Sequence, residues 1–164
     1  MEKTRKNLSE AFSGESQANR KYLAYAKKAD DEGYKGVAKL FRAVAEAETI
    51  HAHNHLREMG AIQSTSENLM SAIKGETYEF SAMYPPMIND AKAEGYSGAE
   101  KTLYFANEVE KIHAHLFRGA LNNESQFKDV EYYVCTICGN TVENNPQEKC
   151  SICAAKKEFF KKID

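Results

Sequence analysis

Glu48 and His51 stand three residues apart, and so do Glu110 and His113. On a helix, residues i and i+3 share one face. Each pair can therefore offer a carboxylate oxygen and an imidazole nitrogen to one metal ion. Phe41, Val44 and Ala52 around the first pair, and Phe105, Val109 and Leu116 around the second, suit an inward-facing stripe. An unpaired carboxylate there costs roughly several kcal/mol, which a bound cation offsets. Glu15 and Glu76 add one carboxylate each from two further helical stretches. Oxygen-rich donors with two imidazoles suit iron or manganese rather than a thiolate-seeking metal. Glu46 and Glu108, two residues before the paired glutamates, fall about 200° around the helix and face solvent. His53 and His115 point away from the pairs, and His55 has no counterpart.

A second cluster closes the chain. In "YVCTICGNTVENNPQEKCSIC", Cys135-x-x-Cys138 is followed after eleven residues by Cys150-x-x-Cys153. Two such knuckles make a four-thiolate tetrahedral site. Spacing alone leaves zinc and a single iron open. Zinc would make the tail a structural ribbon, and iron an electron-transfer site.

Helices must position the first set. From Glu2 to about Arg118 the chain is rich in Ala, Glu, Lys, Leu and Met, which are strong helix formers. Breaks at "DDEGYKG", "MGAIQSTSEN" and "KAEGYSG" leave helices at roughly 4–31, 35–58, 67–93 and 97–121. Ser64, Thr65 and Ser66 are N-cap choices for the third. The expected fold is an all-α four-helix bundle of the ferritin-like type. In such bundles one Glu from each of two helices joins a Glu-x-x-His from each of the other two around two metal ions. The connection before the third helix is a candidate crossover. Residues 1–122 form the bundle, 123–131 a linker, and 132–164 a small β module too short to fold on burial alone and stapled by its cysteines.

The bundle sequence repeats. "DEGYKGVAKLFRAVAEAETIHAH" (31–53) aligns with "AEGYSGAEKTLYFANEVEKIHAH" (93–115), sharing Glu-Gly-Tyr-x-Gly and Glu-x-Glu-x-Ile-His-Ala-His. Gly14-Glu15 and Gly75-Glu76 open the halves. Two asymmetries break the repeat. Glu79 stands where the first half has Ala18, and Gly75 to Gly95 is one residue longer than Gly14 to Gly33. The extra residue falls near Pro85-Pro86, where missing N–H donors predict a kink or π-bulge. The alternative is a break between two helices.

Bulk properties narrow the class. The chain has 164 residues and a net charge of -2, which gives no general attraction to nucleic acid or anionic membrane. No apolar run reaches the length of a membrane span. "MEKTRKNLSE" has no apolar signal-peptide core, so the cytoplasm is expected. In a reducing compartment the clustered cysteines point to metal rather than disulfides.

The stretches "AFSGESQANRKY", "AEAETIHAH", "GETYEFSAMYPP", "EVEKIHAH", "YVCTICG" and "EKCSIC" resemble those of rubrerythrins over nearly the whole chain. The resemblance implies a ferritin-like di-iron bundle followed by a rubredoxin-like domain with one iron. It implies a cytoplasmic peroxide reductase that draws electrons from an external donor protein. By motif, the di-iron ligands would be Glu15, Glu48, His51, Glu76, Glu79, Glu110 and His113, with Glu48 and Glu110 bridging. Tyr22 and Tyr84 match tyrosines near the iron pair. Cys135, Cys138, Cys150 and Cys153 would hold the single iron, with zinc the alternative. Glu79 and His51 become the candidate catalytic residues, because members of the family exchange a Glu for a His on reduction. His113 has no such rival. A homodimer, head-to-tail or helix-swapped, is expected. The tail departs at Ser151 and Ala154: rubredoxin knuckles carry Gly at the latter place to take a left-handed backbone, so Ala154 should strain the turn. A ferroxidase or iron-storage protein of the ferritin type is the alternative function. A plain electron carrier or zinc-ribbon binding module is the third.

Overall fold

The computed structural model describes residues 2–164. The chain divides into two compact units, residues 1–63 and 64–164. In the first, α1 (Glu2–Asp31) folds back on α2 (Lys35–Glu58). Ala38, Ala45 and Ala52 are buried on α2 at seven-residue intervals, and Ala26 and Ala29 on α1. That spacing keeps one small-residue stripe facing the partner helix along its length. Small side chains let the backbones approach closely.

In the second unit α3 (Thr65–Tyr78) runs into a π turn over Glu79–Met83, continues as α4 (Tyr84–Ala93), and packs against α5 (Ser97–Asn122). Ser64 is the N-cap of α3, in a reciprocal capping box with Glu67. The irregularity expected near Pro85-Pro86 is the π turn. The Tyr84 N–H reaches back five residues to the Glu79 carbonyl, and the prolines start α4, where no N–H is needed. The third helix is thus continuous in path but holds one extra residue.

The sequence repeat makes the same turn twice. Gly33 and Gly95 both have positive φ, at 84° and 72°. The residue after each donates to a carbonyl five positions back, Tyr34 to Ala29 and Tyr96 to Ala91. This is the Schellman closure, which needs a left-handed residue after the helix.

The tail forms a three-stranded antiparallel sheet, ordered β2-β1-β3. Its strands are β1 (Tyr132–Cys135), β2 (Thr141–Glu143) and β3 (Phe160–Ile163), with Tyr133 opposite both Val142 and Lys162. The fold class is the one expected: four helices and a small cysteine-bearing β module. Among the described residues, no helix is long and apolar enough to cross a membrane.

Candidate metal centres

Three sets of donors gather. Glu15, Glu48 and His51 place one ligand atom each within 4.8 Å of one another, and so do Glu76, Glu110 and His113. The third set is Cys135, Cys138, Cys150 and Cys153.

In the first set, His51 Nδ1 lies 3.0 Å from Glu48 Oε2 and 3.9 Å from Glu15 Oε1. Asn19, one turn along α1 from Glu15, clamps the helix pair here. Its amide donates to the Ala45 carbonyl at 2.7 Å and to Thr49 Oγ1 at 2.8 Å. Asn19 has no counterpart in the repeat, and nothing in the sequence marked it.

In the second set, His113 Nδ1 lies 2.6 Å from Glu110 Oε2 and 3.9 Å from Glu76 Oε2. The two sets repeat each other in geometry as they do in sequence. Burial, then the hydrogen bond and charge of Glu110 and the charge of Glu79, push Glu76 up to about 7 from 4.5. Glu79 is outside the 4.8 Å set, but burial and the Glu110 charge raise it too, against the opposing pull of His113. The Tyr84 hydroxyl is raised by burial and by the charges of Glu110, Glu79 and Glu76. Carboxyls that crowd one another in this way fit a cation, which neutralises the charge they would otherwise share. Beside Glu76 and His113 a largely apolar cleft of about 670 Å³ opens, walled by Leu69, Leu116, Phe117, Phe127 and Tyr132.

The neighbouring candidates fall away from the sets. Glu46, His53 and His115 are exposed. Glu108 is tied up by Lys111 at 2.5 Å. Tyr22 packs in a ring cluster with Tyr25 and Phe41.

The cysteines are free thiols rather than disulfides, with Cys135 and Cys153 Sγ 3.6 Å apart, and Cys138 and Cys150 likewise. Four sulfurs about 2.3 Å from a central ion lie about 3.8 Å apart in a tetrahedron, so the cage fits a metal. Burial by itself would push the Cys150 thiol up. Backbone N–H groups of Cys153 and Ile152 and the Asn140 amide outweigh it and lower the thiol to about 6. Burial raises Cys138 and Cys153. The two knuckles close alike, Gly139 N–H on the Cys135 carbonyl and Ala154 N–H on that of Cys150. Gly139 has φ 83° and Ala154 φ 60°. Ala154 therefore holds the left-handed conformation expected to strain it.

Family models match both parts of the chain. The rubrerythrin model matches residues 6–121, and the model of the rubrerythrin rubredoxin-like domain matches residues 133–161. This chain belongs to the rubrerythrin family. Rubrerythrin-2 of Clostridium acetobutylicum is 35% identical, over 93% of this chain and 92% of its own. Nigerythrin of Nitratidesulfovibrio vulgaris is 35% identical, over 96% and 85%. The structure of mixed-valence nigerythrin superimposes with a TM-score of 0.60, covering 98% of this chain and 86% of that one. The rubrerythrin cofactors are a di-iron site and one iron on four cysteines, and the donor sets found here fit both. At this level the chain is a di-iron and rubredoxin-like iron protein of a family whose members are oxidoreductases.

Proposed function

We propose that this protein reduces hydrogen peroxide to water, with electrons delivered through the four-cysteine iron from an external donor protein. The balance is one peroxide, two electrons and two protons to two waters. A pair of ferrous ions supplies the two electrons that O–O cleavage requires, one from each iron. Glu15, Glu48 and His51 hold one iron in this reading, and Glu76, Glu110 and His113 the other, in a cytoplasmic homodimer. Glu48 and Glu110 would be the carboxylates shared by the two irons.

Glu79 supplies the asymmetry. An anionic oxygen donor suits ferric iron, whereas ferrous iron accepts neutral imidazole more readily. Glu79 and His51 would then be alternative donors to one iron, while His113 would have no such rival because Ala18 stands at the matching place.

The observation that carries the reading is the cysteine module, built into the same compact unit as Glu76, Glu110 and His113. A ferroxidase or storage protein of the ferritin type, the alternative, has no use for an electron input. Stopped-flow reoxidation of the fully reduced protein is the test. Peroxide should reoxidise both centres much faster than oxygen does. A faster reaction with oxygen, or a colourless zinc-filled tail, would favour the alternatives.

A further inference from the structure

We propose that Thr141 is a positioning residue for His113, its hydroxyl fixing the proton on Nε2 and leaving Nδ1 as the metal-facing nitrogen. Thr141 Oγ1 lies 3.1 Å from His113 Nε2 and 3.2 Å from the Gly139 carbonyl oxygen. A hydroxyl carries one hydrogen, and a carbonyl oxygen can only accept. The Thr141 hydrogen therefore goes to Gly139, and Oγ1 must accept from Nε2–H. The direction of the chain is set by the backbone of the first cysteine knuckle. On the other side of the ring, Nδ1 faces the carboxylates of Glu110 and Glu76. A ligating histidine ordinarily gives its second N–H to an outer partner that fixes its tautomer and orientation.

The partner here is supplied by the cysteine module, three residues after Cys138. The module is seated on α5 one turn before His113. A methyl group added to Gly139 would lie 3.9 Å from Val109 Cγ1, and Val109 is only 2% exposed. His51 differs. Its side chain is 54% exposed, and among the described residues no group meets its Nε2. One histidine of the repeat has an outer hydrogen bond at Nε2, and the other, bonded to Glu48 through Nδ1, has none there among the described residues.

The inference rests on the reading that these donor sets hold metal, so its test avoids peroxide. The full-length chain is loaded with zinc, which is diamagnetic, and exchange of the histidine ring N–H protons is followed by nitrogen-15 NMR. The His113 Nε2–H should exchange about tenfold more slowly than in Thr141→Val, the effect of one net hydrogen bond. Thr141→Ser should keep the protection, and His51 should exchange fast in all three proteins. Zinc affinity of the Glu76–Glu110–His113 set should fall roughly tenfold in Thr141→Val and recover in Thr141→Ser. Equal His113 exchange in wild type and Thr141→Val, or a Thr141→Ser variant that behaves like Thr141→Val, overturns the proposal. Zinc confined to the four cysteines overturns it together with the donor-set reading. A protected Nε2–H in a protein inert to peroxide leaves it standing and overturns only the proposed reaction.

Discussion

Glu76 makes the second donor set sensitive to pH. Burial and the neighbouring carboxylates raise it from 4.5 to about 7, so between those values the folded state binds more protons than the unfolded one. The contribution of Glu76 to the stability of the chain without metal in its helical sites should therefore be fully present below pH 4.5. It should fall as pH rises through 7, and a divalent cation should remove most of the loss by replacing the proton. Urea denaturation at several pH values, with and without the ion, measures this. Glu79 is a different case, since its proposed work is in turnover. Glu79→Ala should leave helix content and thermal midpoint nearly unchanged, yet slow peroxide turnover on the order of 10- to 100-fold. Normal peroxide kinetics in that variant would remove Glu79 from the mechanism. Ala154 carries a backbone cost instead. A left-handed non-glycine residue costs about 1–2 kcal/mol, so Ala154→Gly should stabilise the iron-loaded module by about 1 kcal/mol in guanidinium denaturation.

At the scale of elements, the π turn is what separates the two halves of the repeat. A helix advances about 100° per residue, so one inserted residue rotates everything after it relative to everything before. Glu76 and Glu79 lie before the insertion's end, Tyr84 and the buried Ala91 after it. Deleting Ser81 should restore a regular helix at the expense of that phasing. Ala91 would leave its seam against α5, and Tyr84 would leave the carboxylates. Circular dichroism should show retained helix with a lower thermal midpoint, and metal uptake by the second set should weaken. The insertion was legible in the sequence because a repeat provides its own ruler: nineteen residues against twenty, with two prolines beside the extra one. The breaks at the twin Glu-Gly-Tyr-x-Gly stretches were legible for a like reason, since glycine punctuates the helical pattern at both places. Asn19 was not legible, because its partners Ala45 and Thr49 are ordinary residues on another helix.

At the scale of the molecule, the two kinds of centre are held by different physics. The α1–α2 pair is joined along an alanine-rich stripe, and the helices keep their shape through backbone hydrogen bonds. The cysteine module has three strands of three or four residues, and its buried side chains are little more than Cys135, Asn140, Pro146 and Cys150. So small a core needs its metal. Chelation of the tail iron should abolish amide-exchange protection in residues 132–163 while α1, α2 and α5 keep theirs. Hydrogen-exchange mass spectrometry reads both in one experiment.

What the sequence by itself determined is whatever depends on local spacing. The i, i+3 donor pairs, the cysteine knuckles, the helix ends and the inserted turn follow from backbone rules acting within a few residues, whereas the strain at Ala154 was legible only through the resemblance of its knuckle to those of rubredoxins. Tertiary structure alone decided the contacts between distant ones. Thr141 meets His113 across 28 residues of chain, Asn19 meets Ala45 across 26, and the Asn140 amide reaches Cys150 across 10. A threonine or an asparagine has no spacing rule of its own. Its hydroxyl or amide acquires a role only when packing brings a buried acceptor or donor within about 3 Å.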